Sequence, residues 1–143
     1  MYYNTKVIKQ TTQMSTHSRL GIQLPDGYIL SVYCHYDSYP EFNGVKLVEH
    51  FNSYEKASEL IDGGDISCLW TNVGWNNETL PTIGPLYYSS RGEVTEPRLD
   101  SCLTQYLNDG EEYAYLFANG EWICYDLRGP VPYQVNIPVP VAS

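Results

Sequence analysis

The chain has 143 residues, of which 43% are hydrophobic, and its 17 acidic and 8 basic side chains give a formal net charge of −9. This length predicts a single domain with one core. Because no apolar run approaches the roughly 18 residues of a membrane-spanning helix, we expect no membrane partner. A strongly acidic surface repels phosphate backbones, which argues against direct nucleic acid binding.

The cysteine and histidine pattern predicts neither a metal site nor a cofactor. Cys34, Cys68, Cys102 and Cys124 are far apart and form no C-x-x-C pair, and the chain has only three histidines. Neither a P-loop nor a G-x-G-x-x-G motif is present. The opening segment MYYNTKVIKQ lacks the apolar stretch of a secretory signal. We therefore expect a cytosolic protein with reduced thiols.

A β-hairpin is predicted directly after an N-terminal extension of residues 1–14. SRLGIQL and YILSVYC flank a short turn, PDG, at residues 25–27, and its glycine suits a positive φ. A register that pairs Leu20 with Val32 puts most apolar side chains on one face. The opposite face then collects four polar or aromatic side chains, His17, Arg19, Tyr33 and His35.

Two helices and a loop are predicted in the middle of the chain. Pro40 suits a helix start, and Val45, Val48 and Phe51 follow it with a helical period. Ser53 suits the N-cap of a second helix, YEKASELID, which stops at two glycines. The next segment, TNVGWNNETLPTIG at residues 71–84, is rich in Asn, Gly and Pro without a hydrophobic period, and this predicts a surface loop.

The last third of the chain predicts a strand, a short helix and a second hairpin. PLYYSS reads as the strand and CLTQYLN as the helix, while EEYAYLF and EWICYDL flank an Asn-Gly turn. Residues 128–143 contain four prolines, which predicts an extended tail rather than a central strand. The sequence leaves open whether this tail packs along its own domain or reaches a neighbouring subunit of a homo-oligomer.

The order of these elements indicates a single α+β domain over residues 15–127. We expect an antiparallel sheet of about five strands, formed by the N-terminal and C-terminal hairpins and one further strand. About three helices are expected to cover one face of this sheet.

The polar face of the first hairpin and the later RGE segment predict a pocket for a small anionic, nucleotide-like ligand. Arginine side chains bind phosphate or carboxylate oxygens, and aromatic rings stack on bases. The pocket requires the PLYYSS strand to lie beside the first hairpin. The candidate ligand-binding residues are Arg19, Tyr33, His35, Asp37, Tyr39, Arg91 and Glu93.

The same residues allow two other interpretations. His35 oriented by Asp37, with Glu93 as an acid, has the composition of a small nucleotide hydrolase or lyase. However, no nucleophile motif such as G-x-S-x-G is present, so we predict no catalytic residue. Alternatively these side chains are structural: Arg91 and Glu93 form only an ion pair, and Asp37 closes a turn on its own backbone.

Several segments resemble a widespread family of small proteins encoded by tailed bacteriophages. They are STHSRLGIQLPDGYILSVYCHYDSYPEFNG, GDIS, RGE and EEYAYLFANGEW, and the resemblance spans about residues 15–126. Members typically read S-R-x-G-I, Y-C-H-W-D-G-Y-P, G-D-I/L-S-S-L and D-R-G-E, followed by an aromatic hairpin. This chain has Tyr36 where tryptophan is common, Ser38 where glycine is common, and Ser90 where an aspartate is common.

The resemblance implies a phage protein that acts in the cytoplasm of a bacterial host, in host takeover or against host defence. Taken with the candidate pocket, it favours a protein that sequesters a small anionic, nucleotide-like ligand. The acidic charge favours an alternative, an inhibitor that binds a host defence protein or a nucleic-acid enzyme.

Overall fold

The computed structural model describes residues 14–139, so residues 1–13 of the expected extension and residues 140–143 of the expected tail lie outside the described residues. The strands are β1 (Ser18–Gln23), β2 (Ile29–Cys34), β3 (Ile66–Val73), β4 (Thr79–Tyr87), β5 (Arg98–Asp100), β6 (Tyr113–Ala118), β7 (Glu121–Asp126) and β8 (Tyr133–Val135). The helices are α1 (Val45–His50), α2 (Tyr54–Asp62) and α3 (Leu103–Leu107). A π-helical turn, Pro40–Gly44, precedes α1, and a 3-10 turn, Tyr88–Arg91, follows β4.

The strands form one mixed sheet in the order β4-β3-β2-β1-β6-β7-β8, and β5 pairs with the first half of β2. The α+β class is confirmed. The expectation of about five antiparallel strands is corrected, because β1 runs parallel to β6 and β2 runs parallel to β3. Turn residues in the sequence report only local hairpins, whereas these parallel pairs join segments that are distant along the chain.

Both predicted hairpins form, and the first has the expected register. In the first, Leu20 pairs with Val32 and Arg19 with Tyr33. In the second, β6 pairs antiparallel with β7 around Asn119 and Gly120, which both adopt positive φ angles of 53° and 83°. Two consecutive positive φ values are the requirement of the tight turn that Asn-Gly favours.

The predicted loop at residues 71–84 is instead the end of β3, a turn and most of β4, which together form a third hairpin. Its register shifts three times between Ile66 and Val73, and such irregularities remove the strict alternation that marks a strand in sequence. β4 lies at the edge of the sheet, where Pro81 and Pro85 are tolerated because one side of the strand has no partner.

Helices cover both faces of the sheet, not one as expected. α1 and α2 supply Leu47, Ala57, Leu60 and Ile61 to the main core. On the opposite face, Tyr106 of α3 packs in a smaller cluster with Ile29, Ala114 and Leu116. Space for Tyr106 depends on Gly21, because a Cβ atom at that position would lie 2.8 Å from the Tyr106 hydroxyl oxygen.

The proline-rich tail packs along its own domain as far as the structure describes it. Residues 133–135 form β8, which pairs with the outer side of β7. Val135 and Ile137 then pack against the main core. The Tyr133 hydroxyl donates to Asp126 Oδ2 at 3.2 Å, so the tail is held by polar contacts as well.

Within residues 14–139, no helix combines the length and apolar character needed to cross a bilayer.

Candidate functional site

A cleft of about 710 Å³ lies between residues 36–46 and the β3–β4 hairpin. We call it the hairpin cleft. Residues 36–46 connect the end of the first hairpin to α1, so the cleft lies at this connection. Its volume falls in the range of roughly 300 to 1,000 Å³ that is typical of small-molecule sites.

Aromatic side chains from both sides line the hairpin cleft: Tyr36, Tyr39, Phe42, Trp70 and Trp75. The His50 ring stacks on Trp70 at 3.8 Å with an interplanar angle of 9°, and Phe51 meets Trp70 edge-on. These contacts from α1 and its end fix the indole before any ligand binds. Rings held in this way offer stacking surface at little entropic cost.

A network of buried hydrogen bonds shapes the turn that carries these rings. Asn43 is fully buried, and its Nδ2 donates to the Tyr36 carbonyl at 2.8 Å and to Ser38 Oγ at 3.3 Å. The Tyr115 hydroxyl donates to the Ser38 carbonyl at 2.7 Å from the sheet below. Because Asn43 Nδ2 faces a carbonyl, the amide cannot be flipped, and its Oδ1 is a buried acceptor with no hydrogen-bond partner among residues 14–139.

Asp37 also holds this turn. Its φ is 57°, its Oδ1 accepts from the Met14 amide at 2.9 Å, and its own amide donates to the Met14 carbonyl at 2.8 Å. Burial raises the pKa of the Asp37 carboxyl, and the bond from Met14 partly offsets this effect. The Asp37 side chain is therefore structural, but it bonds the distant Met14 backbone, whereas the structural interpretation expected a bond to the backbone of its own turn.

The hairpin cleft carries one basic and one acidic side chain, Lys46 and Asp37. The Lys46 ammonium lies 3.5 Å from Glu49 Oε1 and 5.6 Å from the centre of the Phe42 ring. Asn72, Asn77 and Thr71 add neutral polar groups to the lining. Such a surface suits a ligand that combines a flat ring with a limited negative charge.

The seven residues predicted as one pocket lie in three places. Asp37 and Tyr39 line the hairpin cleft. Arg91 and Glu93 form an exposed ion pair after β4, and Arg91 stacks on Trp75, which borders the cleft. β4 does not lie beside the first hairpin, because β3 separates it from β2.

The third group, Arg19, Tyr33 and His35, lies on the polar face of the first hairpin. The Arg19 guanidinium donates to Ser31 Oγ at 3.1 Å and to the Ser31 carbonyl at 2.9 Å. Burial lowers the pKa of Arg19, and the nearby Arg98 lowers it further. Arg19 is thus held by β2, and it is not among the residues that line the hairpin cleft.

His35 bonds with Tyr33 rather than with Asp37. Its Nδ1 lies 2.7 Å from the Tyr33 hydroxyl, and its ring stacks on His17 with centroids 4.4 Å apart. Burial lowers the pKa of His35, and His17 adds to this effect. Since the Asp37 carboxylate accepts from Met14, the geometry of a base with its orienting carboxylate is not formed by this pair.

Sequence reasoning missed most of the cleft lining: Tyr36, Phe42, Lys46, Trp70 and Trp75. The segment containing Trp75 is predicted as a surface loop, and none of its residues is among the candidate ligand-binding residues. The sequence feature that could have indicated a contact residue is the large aromatic side chain between glycine and asparagine in TNVGWNN. Tryptophan is enriched among the residues that dominate binding energy at interfaces, so a tryptophan in such polar surroundings is a candidate contact residue.

The chain matches no protein-family model, no curated protein and no solved structure. The resemblance to the phage family therefore stays a prediction. Across residues 14–139, no cluster of three or more His, Cys, Asp or Glu side chains has the geometry to hold a metal ion.

Proposed function

We propose that the protein binds a small, planar, nucleotide-like ligand in the hairpin cleft and sequesters it without chemistry. The observation that carries the proposal is the cleft itself, which has a suitable volume and five aromatic side chains in its lining. Nucleobases of any type stack on such rings, because every base has a π face. Lys46 supplies a cation for the anionic group of the ligand.

The biological setting follows from the resemblance to phage proteins. Sequestration of a nucleotide-like signal inside an infected bacterium would prevent that signal from reaching a host defence protein. Such a function needs binding and slow release, and it needs neither a nucleophile nor a metal.

The first experiment is native mass spectrometry of the full chain purified from bacterial cells, followed by denaturation and mass analysis of the released molecules. We expect a nucleotide-like anion at a ratio of one per chain, released chemically unchanged. A protein that carries no small molecule, and that binds neither adenosine nor adenosine monophosphate by calorimetry, would contradict the proposal.

A pair of surface variants tests the place of binding. Ile83 lines the hairpin cleft and is 52% exposed, so Ile83→Arg should block the cleft with little cost to the fold. Val94 is 81% exposed and lies outside the lining, and Val94→Arg is the matched control. We expect loss of ligand only in Ile83→Arg; equal binding by both variants would place the ligand elsewhere.

A second candidate function, inhibition of a host protein, is favoured by the outer surface of α2. Tyr54 is 50% exposed there, and Glu55, Glu59 and Asp62 are exposed beside it. An aromatic side chain among carboxylates suits a cationic protein surface. A complex formed through α2 should lose affinity when salt is raised and in Glu55→Lys, whereas the ligand-binding function should not change in that variant.

A further inference from the structure

The Trp75 ring is held by Arg91 and Ser90, and its centre lies 5.4 Å from that of the Tyr88 ring. The Arg91 guanidinium carbon lies 4.1 Å from the centre of the Trp75 ring and 5.2 Å from that of Tyr88. The indole N–H donates to Ser90 Oγ at 2.7 Å, and Ser90 Oγ in turn donates to the Tyr87 carbonyl at 2.7 Å. The 3-10 turn after β4 therefore fixes both the position and the tilt of the indole.

The tip of the β3–β4 hairpin needs this support. Beyond the pair of Thr71 with Gly84, the ladder continues only through Val73 and Thr79, after a register shift. The turn is closed by local bonds, such as that from the Gly74 amide to the Glu78 carbonyl at 2.8 Å. Segments with few buried contacts open easily, so Trp75 depends on Arg91 and Ser90 for a fixed position.

Arg91 contacts the Trp75 ring without lining the hairpin cleft itself. Trp75 borders the cleft, and the Arg91 guanidinium lies over the Trp75 ring. Arg91 itself is not among the lining residues, and its Nε is paired with the Glu93 carboxylate. The guanidinium is thus paired with a carboxylate and an aromatic ring of the protein itself.

We propose that Arg91 and Ser90 are positioning residues that hold Trp75 as a stacking platform for a nucleobase. Arg91 acts through the indole. It does not contact the anionic group of the ligand, although the sequence predicts contact with that group as its role. This inference rests on the proposed function of the hairpin cleft. It assigns the base, rather than the phosphate, as the part of the ligand recognised at this end of the cleft.

The binding test compares adenosine with adenosine monophosphate by calorimetry on the full chain. If Arg91 positions Trp75, Arg91→Gln weakens both probes by the same factor, about threefold to fivefold, and Arg91→Lys restores part of the loss. If Arg91 instead contacts the phosphate, only adenosine monophosphate binds more weakly, and this result would overturn the proposal. Arg128 also lies over an aromatic ring, 4.9 Å from the centre of Tyr113, and it is not among the residues that line the hairpin cleft. Arg128→Gln is therefore the matched control and should leave both affinities unchanged.

A ligand-free test separates this inference from the proposed function. Fluorine NMR of the chain labelled with 5-fluorotryptophan gives one signal each for Trp70, Trp75 and Trp122. The signal that disappears in Trp75→Phe belongs to Trp75. We expect Arg91→Gln and Ser90→Ala to shift the Trp75 signal toward that of a mobile, solvated indole while the other two stay in place. An unmoved Trp75 signal would refute the positioning role; failure of both probes to bind wild-type protein would refute the nucleotide function instead.

Discussion

Replacement of Asp126 by asparagine should remove part of the acid sensitivity of the C-terminal sheet edge. Asp126 is 3% exposed. Its carboxylate accepts from Arg128 Nη2 at 2.7 Å, from Arg128 Nε at 3.1 Å and from the Tyr133 hydroxyl at 3.2 Å. These bonds, with those of the Arg128 side chain as the largest cause, lower the pKa of Asp126 from 3.8 to about 2.

The sign and size of the effect follow from proton linkage. Because the folded pKa is lower than the unfolded one, the unfolded chain binds more protons between these values. The stabilisation is therefore complete above about pH 4 and is lost as the pH falls to about 2. The difference in pKa corresponds to about 2.4 kcal/mol, and since the Arg128 side chain is 56% exposed, solvent screening reduces it to about 1 to 2 kcal/mol.

The assay is urea unfolding of wild type and Asp126→Asn at several pH values between 7 and 2.5. We expect the variant to be less stable by about 1 to 2 kcal/mol at pH 7, and the difference to shrink as the pH falls toward 2. Asp62→Asn, at an exposed position of α2, is the control for a lost surface charge. Equal pH dependence in wild type and Asp126→Asn would refute the linkage argument.

Two other predictions concern the core. Gly21→Ala should lower the free energy of unfolding by about 1 to 3 kcal/mol, because the new Cβ would lie 2.8 Å from the Tyr106 hydroxyl oxygen. Urea unfolding measures this cost in the wild-type background and again in the Tyr106→Phe background. An equal cost of Gly21→Ala in both backgrounds would show that the hydroxyl is not the cause. Thiol reagents at pH 8 should label the exposed Cys102 rapidly and leave Cys34 and Cys124 unlabelled, since burial raises the pKa of both buried thiols to about 12. Rapid modification of Cys34 or Cys124, located by peptide mass spectrometry, would contradict this.

The sequence predicts those parts of the fold that short-range chemistry determines. The β1–β2 pairing follows from alternation across a glycine turn, and the Ser53 N-cap of α2 accepts from the Lys56 amide at 3.1 Å as expected. The parallel contact of β1 with β6 has no such local signal. The number of strands and the second helical face were therefore not predictable from the turns alone.

The candidate site shows the same division. Asp37 and Tyr39 were selected from the segment that turns into α1, and both line the hairpin cleft. Arg19 and Arg91 were combined through an assumed strand order, and the actual order places β3 and β2 between their strands. Trp75 was not selected at all, because register shifts in β3 hid the hairpin that carries it.

The central pairing of β1 with β6 also determines how this protein must assemble. It joins Ser18 to Tyr113, so the middle of the sheet stays open until most of the chain has left the ribosome. An isolated β1–β2 hairpin is at best marginally stable in water. Contacts of such long sequence separation slow folding, because the chain loses loop-closure entropy before the contacts can stabilise it. The nascent chain therefore exposes strand edges for much of its synthesis, and its acidic charge provides repulsion between neighbouring chains during that interval.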